Sequence, residues 1–566
     1  MTLNLLDQIG NWNPQLFREI KGRLKMGNIA IASALSLSGQ LLLFLYFRAQ
    51  IPVAPPPGQY IYPTYSIFCT KFDASNNEFK CVRDALGNFP INWQYWWLNL
   101  FIYLSIFSAI VLLVAGTYML VGDLDKEERH GTLNFIRFSP QSAKSISIGK
   151  ILGVPILLYL AAILAVPLHF YSGLVAKVPL HGILGFYIAV VASCGLFYSA
   201  AMLFGLTTSW LGGFQPWLAS GAVLFFITLA FNMPSQGYPA NYWITFLSLV
   251  ADLITFLSPA AVLKLSVIRV IGSIVENSYY ELGLAESFDK VQWFSLLVGT
   301  KLAFATALSL LVCGTGTYWL LQGWQRRFSN PSATVLSKRQ SYLFVACCQA
   351  IFLGFFLPFN SRNSAEIVLS LLIFNWIFFL VLIAALTPDR QSLYDWARYR
   401  KQIVPSNRKL WLRYLLLDLI WSEKSPAVVA IALNSMIPLL ILIPWLPRDQ
   451  SLELVLIWVV LETNLITIYA TIAQLFLLAK NRYPAVLALT FAVSTIAFFG
   501  YLIFLVYLLE NTIWHIFGDR WTDLISLILM LLMIIGPWTV LVLLNLKLMR
   551  QLKLAGESAS KALLKA

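Results

Sequence analysis

A chain of 566 residues that is 59% hydrophobic and only 12% charged, with a mean hydropathy of +0.73, has too few charges to coat a water-soluble surface, where about a quarter of residues are charged. Soluble enzymes and soluble nucleic-acid binders are excluded as classes, and lipid must replace water over most of the surface. The formal net charge of +14 has its meaning in where the basic residues fall.

In chain order, residues 1–26 are polar and basic and lack the short apolar core and small-residue cleavage site of a secretory signal. The pair Asn13-Pro14 suits a helix start, with Asn13 as cap. Over 13–25, Phe17, Ile20 and Leu24 recur at helical spacing, with Arg18, Lys21 and Lys25 turned away from them. That pattern predicts an amphipathic helix lying on the membrane surface. The apolar run 27–47 reads as an anchor that stays in place. An outer loop, 48–96, opens with the Pro-rich 52–57 and holds Cys69 and Cys81, either as a disulfide on an oxidising side or as two free thiols.

Further spans are expected at 97–121, 146–171, 182–206, 214–231, 291–322, 342–358, 365–387, 427–446, 453–479, 484–509 and 521–548, each near the ~20 apolar residues that a bilayer core requires. The apolar runs 242–257 and 260–274, separated at Pro259, read as an outer re-entrant hairpin or as a pair of crossings. About twelve spans with both termini in the cytoplasm place most of the 40 Lys and Arg residues on the inner side, as the positive-inside rule requires. This placement removes nucleic acid as a partner and makes anionic inner-leaflet lipid the natural one. The predicted fold is therefore all-α: a polytopic transmembrane bundle, N-in and C-in, multi-pass in the plasma membrane. Its parts are an interfacial helix (1–26), a first membrane domain (27–322), a cytoplasmic junction (323–341), a second membrane domain (342–548) and a basic tail (549–566). The second domain carries a basic cytoplasmic segment, 388–426, in which 408–424 reads as another interfacial helix.

The most informative segment follows the second span. Loop 122–145 is too polar for the bilayer. It carries the charged run Asp123–Arg129, breaks at Gly131-Thr132, and continues with Leu133, Phe135 and Ile136 as the apolar side of a short helix that Pro140 ends. Gly149-Lys150 leads into the third span. This order of elements resembles the ABC-2-type permease family, the membrane subunits of ATP-binding-cassette exporters. Lys126, Glu127, Glu128, Arg129, Gly131, Thr132, Leu133, Pro140, Gly149 and Lys150 occupy the places of that family's loop motif. The resemblance covers about residues 13–325 and includes the amphipathic helix before the first span and the hairpin at 242–274. It implies that the loop presses into a groove on a separate ATPase subunit. Lys126, Glu127, Glu128, Arg129, Thr132 and Pro140 would then be coupling residues, with Gly131 permitting a tight turn. ATP and Mg would be bound by that partner; a second permease or a second copy of this chain is also implied.

The chain itself has no G-x-x-x-x-G-K-[ST] loop, so it is read as a transport subunit and not an enzyme, with no cofactor of its own. Inside the spans, Lys301 and Glu462 either pair with each other or stand apart, with Lys301 reaching outward and Glu462 meeting a wet cavity or another helix's polar group. Gln349, Asn375, Asn434 and Gln474 are polar residues in spans, of the kind that join helices. The histidines are scattered, and no metal site is expected. The function read from these features is export of a lipid, glycan, peptide or small amphiphile. The alternatives are an ion-coupled secondary transporter and, third, a membrane-embedded transferase.

Overall fold

A computed structural model describes residues 8–53, 66–70, 72–73, 80–81, 83–84, 88–232, 250–274, 291–294, 296–356, 364–402, 408–442, 451–478 and 535–554. The expected span 484–509, the first half of 521–548 (521–534), the segment 242–249 and residues 555–566 of the tail lie outside the described residues. Contacts divide the chain into two compact units, Met1–Ser329 with Gly354–Pro358, and Asn330–Leu353 with Phe359–Ala566. Sheet among the described residues amounts to two antiparallel pairs of two-residue strands, β1 (Phe72–Asp73) with β2 (Lys80–Cys81) and β3 (Gln292–Trp293) with β4 (Leu296–Leu297). Among the described residues, six helices are long and apolar enough to cross a membrane, or up to eight spans if each of two sharply bent helix pairs is one. A multi-pass helical bundle fits these lengths.

Unit 1 opens with α1 (Pro14–Arg23), capped by Asn13, and α2 (Met26–Ala49). Next, α3 (Trp93–Ile110) passes through a π-helical turn, Val111–Ala115, into α4 (Gly116–Arg129) without a break. The π turn rearranges the backbone ladder, and the buried Tyr198 hydroxyl donates to the Leu112 carbonyl at 2.6 Å. The second span was expected to stop at 121, but Trp93–Arg129 is one rod of 37 residues. Its charged end stays helical because Asp125 and Arg129 pair at i, i+4.

Beyond it lie α5 (Thr132–Arg137), α6 (Ala143–Gly153), α7 (Ile156–Val175), α8 (Leu180–Thr207) and α9 (Gln215–Asn232). The expected third span, 146–171, is really two helices. Pro155 separates α6 from α7, because its ring and missing N–H cannot continue α6. Only α7 belongs to the long apolar set. The hairpin region contributes α10 (Val250–Phe256), which meets the start of α11 at a 93° bend. α11 (Ala260–Ile274) follows after Ser258-Pro259. The bend reaches deep between its neighbours: the Leu257 carbonyl accepts from Ser193 Oγ at 3.3 Å and faces Cys313 Sγ at 3.5 Å, both near the middle of their helices. The sixth expected span begins later than 291, because β3 and β4 precede α12 (Leu302–Ser329).

Unit 2 contains α13 (Lys338–Phe356), α14 (Ser364–Leu386), α15 (Arg390–Gln402), α16 (Arg408–Trp421), α17 (Val428–Leu442) and α18 (Ser451–Leu478). The basic segment 388–426 thus holds two helices where one was expected. Lys338 is buried. Its ammonium donates to the Leu419 carbonyl at 2.8 Å, Ser425 Oγ at 2.6 Å and the Pro426 carbonyl at 2.9 Å. Burial pushes this group down to about 7 against the opposing pull of Asp418, while the carbonyl end of α16 offers a cation favourable partners.

Candidate functional site

The segments flagged by the charged loop come together at one end of unit 1. Asn13 begins the assembly. Its Oδ1 accepts from the Leu16 backbone N–H at 3.0 Å, which caps α1, and its Nδ2 donates to the Ser145 carbonyl of α6 at 2.8 Å. α1 then lies directly on α6. A Cβ on Gly149 would sit 2.8 Å from Gln15 Cβ and from the Leu16 nitrogen, and one on Gly153 would sit 2.5 Å from Glu19 Cβ. The Gly-x-x-x-Gly spacing puts both glycines on one face and lets two helices approach closely. The polar residues named by the sequence pattern, Arg18, Lys21 and Lys25, are exposed, but part of the polar surface of α1 is covered by α6. Gln15 and Glu19 are buried against α6, while Phe17 and Ile20 remain half-exposed and Leu24 exposed.

Between α1, α4 and α6 sits a compact set of charges. Lys150 is fully buried; its Nζ lies 2.7 Å from Asp123 Oδ2, 2.7 Å from Glu127 Oε2 and 4.0 Å from Glu19 Oε1. Arg18 reaches Glu127 Oε1 at 2.6 Å and Glu19 Oε1 at 3.1 Å, and Arg23 pairs with Glu19 at 3.2 Å and also with Asp123. Three carboxylates thus face three cations. Burial pulls the Arg18 guanidinium down, but Glu19 and Glu127 hold it above its ordinary value. Ligand atoms of Glu19, Asp123 and Glu127 lie within 4.8 Å of one another, close enough for a metal ion, yet the Lys150 ammonium already stands among them as their cation.

Past this cluster the chain makes an elbow. α4 ends at Arg129, and Gly131 takes a left-handed φ of 71°, a conformation in which a side chain would be strained. Thr132 Oγ1 donates to the Glu127 carbonyl at 3.1 Å across the turn. The following α5 turns Leu133 and Ile136 inward and leaves Phe135 and Phe138 81% and 89% exposed. Phe135, expected beside Leu133 and Ile136, is on the opposite face. Lys126, Glu128, Arg129, His130 and Pro140 are exposed, whereas Glu127 is committed to Arg18 and Lys150. Arg137 packs over the Phe328 ring at 5.5 Å. Burial holds its guanidinium below the ordinary value, with Glu128 opposing and Arg327 reinforcing the shift.

The remaining sites from the sequence fall elsewhere. Cys69 and Cys81 are joined in a disulfide. Lys301 is exposed just before α12, with its ammonium 5.4 Å from the Phe304 ring. Glu462 belongs to unit 2, and its Oε1 is buried with no hydrogen-bond partner among the described residues. Unit 1 also has an apolar groove of about 840 Å³ between α2, α3 and α7, with Ser36, Gln40 and Ser108 as polar points on its wall.

Sequence reasoning did not find the part played by Arg18, Glu19, Arg23 and Asp123. The signal was present as three acidic residues facing three basic ones plus the Gly149/Gly153 spacing, but the partners are about a hundred residues apart. Comparison of the chain with protein-family models, with curated proteins and with solved structures finds no match.

Proposed function

We propose that the chain is the membrane permease subunit of an ATP-binding-cassette exporter, multi-pass in the plasma membrane with about twelve spans and both termini inside, driven by a separate ATPase that binds ATP and Mg. The observation that carries this reading is the elbow. Two large aromatic side chains, Phe135 on a short helix and Phe138 just after it, stand almost fully exposed, near Glu128, Arg129 and His130 in sequence, on a base that the buried charge cluster ties to α1 and α6. Exposed aromatic side chains with a charged rim are the composition of a protein-docking surface. A rod running unbroken from Trp93 to Arg129 can carry a push at the elbow into the bundle. Glu127 serves inside that base, so the docking contacts fall to Glu128, Arg129, Phe135 and Phe138. The apolar groove beside α2 supports a lipid or other amphiphile as cargo.

The test is a photo-crosslinking residue placed at Phe135 or Phe138 in the full-length chain in its native cells. A P-loop ATPase should be the crosslinked product, and Phe135→Asp with Phe138→Asp should abolish its co-purification without altering thermal unfolding of the permease. Labelling that puts Phe138 on the outer side of the membrane, or a double variant that keeps a bound ATPase and full transport, would sink the reading.

A further inference from the structure

The apolar groove of unit 1 lies between α2, the rod formed by α3 and α4, and α7. α2 is tied to α7 by Ser36 Oγ, which donates to the Ala161 carbonyl at 2.7 Å, and by Gln40 Nε2, which donates to the Leu164 carbonyl at 3.4 Å. It is tied to α3 in its last two turns. There Phe44 meets Trp96 at 5.6 Å, Phe47 meets Tyr103 at 5.1 Å, and Trp96 Nε1 donates to the Phe47 carbonyl at 2.9 Å. Toward the start of α2 the groove opens, with Ile31 and Leu35 of α2 and Phe107 and Val111 on the α3 side 44–68% exposed along it. On α2 it runs from Asn28 to Tyr46, roughly 27 Å at 1.5 Å rise per residue, close to the ~30 Å hydrocarbon thickness of a bilayer.

Three features separate this groove from an ordinary lipid-facing surface. Its volume, about 840 Å³, is that of a ligand pocket. The π turn Val111–Ala115 falls in its wall, where Val111 and Leu112 line it, and such turns gather at functional sites. Gly39 lines it in the middle of α2, with nothing within 4 Å of where a Cβ would stand. The walls are almost wholly apolar and suit a hydrocarbon chain. The end near the start of α2 is different. Asn28 lines the groove there, and its Nδ2 donates to the Arg23 carbonyl at 2.9 Å, which brings the turn between α1 and α2 to the mouth. That turn carries the exposed Lys25, with the exposed Lys21 one helical turn before it. Arg18 and Arg23 are taken up by the charge cluster, whereas Lys21 and Lys25 make no ion pair among the described residues. A hydrocarbon slot with uncommitted cations at its mouth has the polarity of an anionic phospholipid in reverse.

We infer that the groove holds an anionic glycerophospholipid of the inner leaflet, with an acyl chain between α2, α3 and α7 and the phosphate at Lys21 and Lys25. This deepens the reading of the groove as an amphiphile site by naming the lipid class. It rests on unit 1 spanning a bilayer with α1 at the inner face, and it needs no ATPase at the elbow.

The experiment uses the purified full-length protein, with no ATPase present, in phosphatidylcholine nanodiscs. A trace of phosphatidylglycerol or of phosphatidylcholine carries a photoactivatable diazirine in its acyl chain, and labelled segments are mapped by mass spectrometry. The reference is α9, whose Phe225 is 61% exposed and which meets bulk lipid. The phosphatidylglycerol probe should concentrate on residues 28–46, 104–119 and 157–165 over α9, and unlabelled phosphatidylglycerol should displace it. Its preference over the phosphatidylcholine probe should reach about 30-fold, the effect of two lysines on an anionic headgroup. Replacing both by Lys21→Gln and Lys25→Gln should remove that preference. Gly39→Trp should fill the groove and bring its labelling down to that of α9 without altering thermal unfolding; Ala162→Phe serves if Gly39→Trp does not fold. Groove labelling no higher than that of α9, or unchanged in the filled variant, overturns the proposal. Equal labelling by the two probes overturns the anionic headgroup. A crosslink joining two copies of the protein through α2 overturns it in favour of a second chain seated in the groove.

Discussion

The charge cluster of unit 1 and the polar middle of unit 2 are both built from buried polar side chains, but in opposite ways. In unit 1 every carboxylate of the cluster has a cation at ion-pair distance, Glu19, Asp123 and Glu127 against Arg18, Arg23 and Lys150. In unit 2, Gln349, Asn375, Glu462 and Asn464 present atoms with no partner among the described residues. A closed network fixes the elements that meet in it, because breaking any member strands the others. An open one leaves its polar groups without that mutual constraint.

The largest effect that would break this comparison is at Lys150. Lys150→Met leaves three carboxylates together in a dry place and should lower stability by about 3–5 kcal/mol, read as thermal or denaturant unfolding of the purified protein. Adding Glu127→Gln should recover part of the loss. A Lys150→Met protein as stable as the parent would mean that the cluster is solvated after all.

Gly153→Leu comes next. With the Glu19 Cβ only 2.5 Å from where a Cβ would stand, α1 must lift from α6, at about 1–3 kcal/mol for overpacking. Limited proteolysis should then cut near α1 at a higher rate, and an unchanged cleavage pattern would show that this contact is not what holds α1. The mirror experiment in unit 2 is smaller and of opposite sign. Gln349→Leu should be neutral or stabilising by up to ~1 kcal/mol, since it removes unpartnered polar atoms; a large destabilisation would show that this amide is already satisfied. Smallest is the rim of the unit 1 cluster. Arg18 is about half exposed, so solvent screens it, and Arg18→Glu should cost about 1 kcal/mol or less. Combining it with Glu127→Arg sharpens the point: the double variant should not regain parental stability, because Glu127 also serves Lys150.

Much of this was legible residue by residue. Phe17, Ile20 and Leu24 announced an amphipathic helix, Asn13-Pro14 its start, and Gly131 the turn after the charged run; α1 and the elbow follow those signals. Helix ends were less legible where local rules competed. The ion pair Asp125–Arg129 carried α4 past the expected boundary, and Pro155 cut α6 away from a run that hydropathy alone reads as one span. The two-sidedness of α1 was half legible, because periodicity separates Arg18, Lys21 and Lys25 from the apolar residues but does not say that Gln15 and Glu19 will be covered by α6.

By itself the sequence determined that the chain is helical and apolar enough for a membrane, and where charge breaks the apolar runs. These are properties of neighbouring residues, summed over a window. Only the tertiary structure decided that Lys150 meets Asp123 and Glu127, that Phe135 turns away from Leu133, and that Gln349 is buried with neither amide atom partnered among the described residues. Pairing, facing and burial depend on how helices distant in the chain are packed, and charge or polarity at one position carries no record of which partner will reach it.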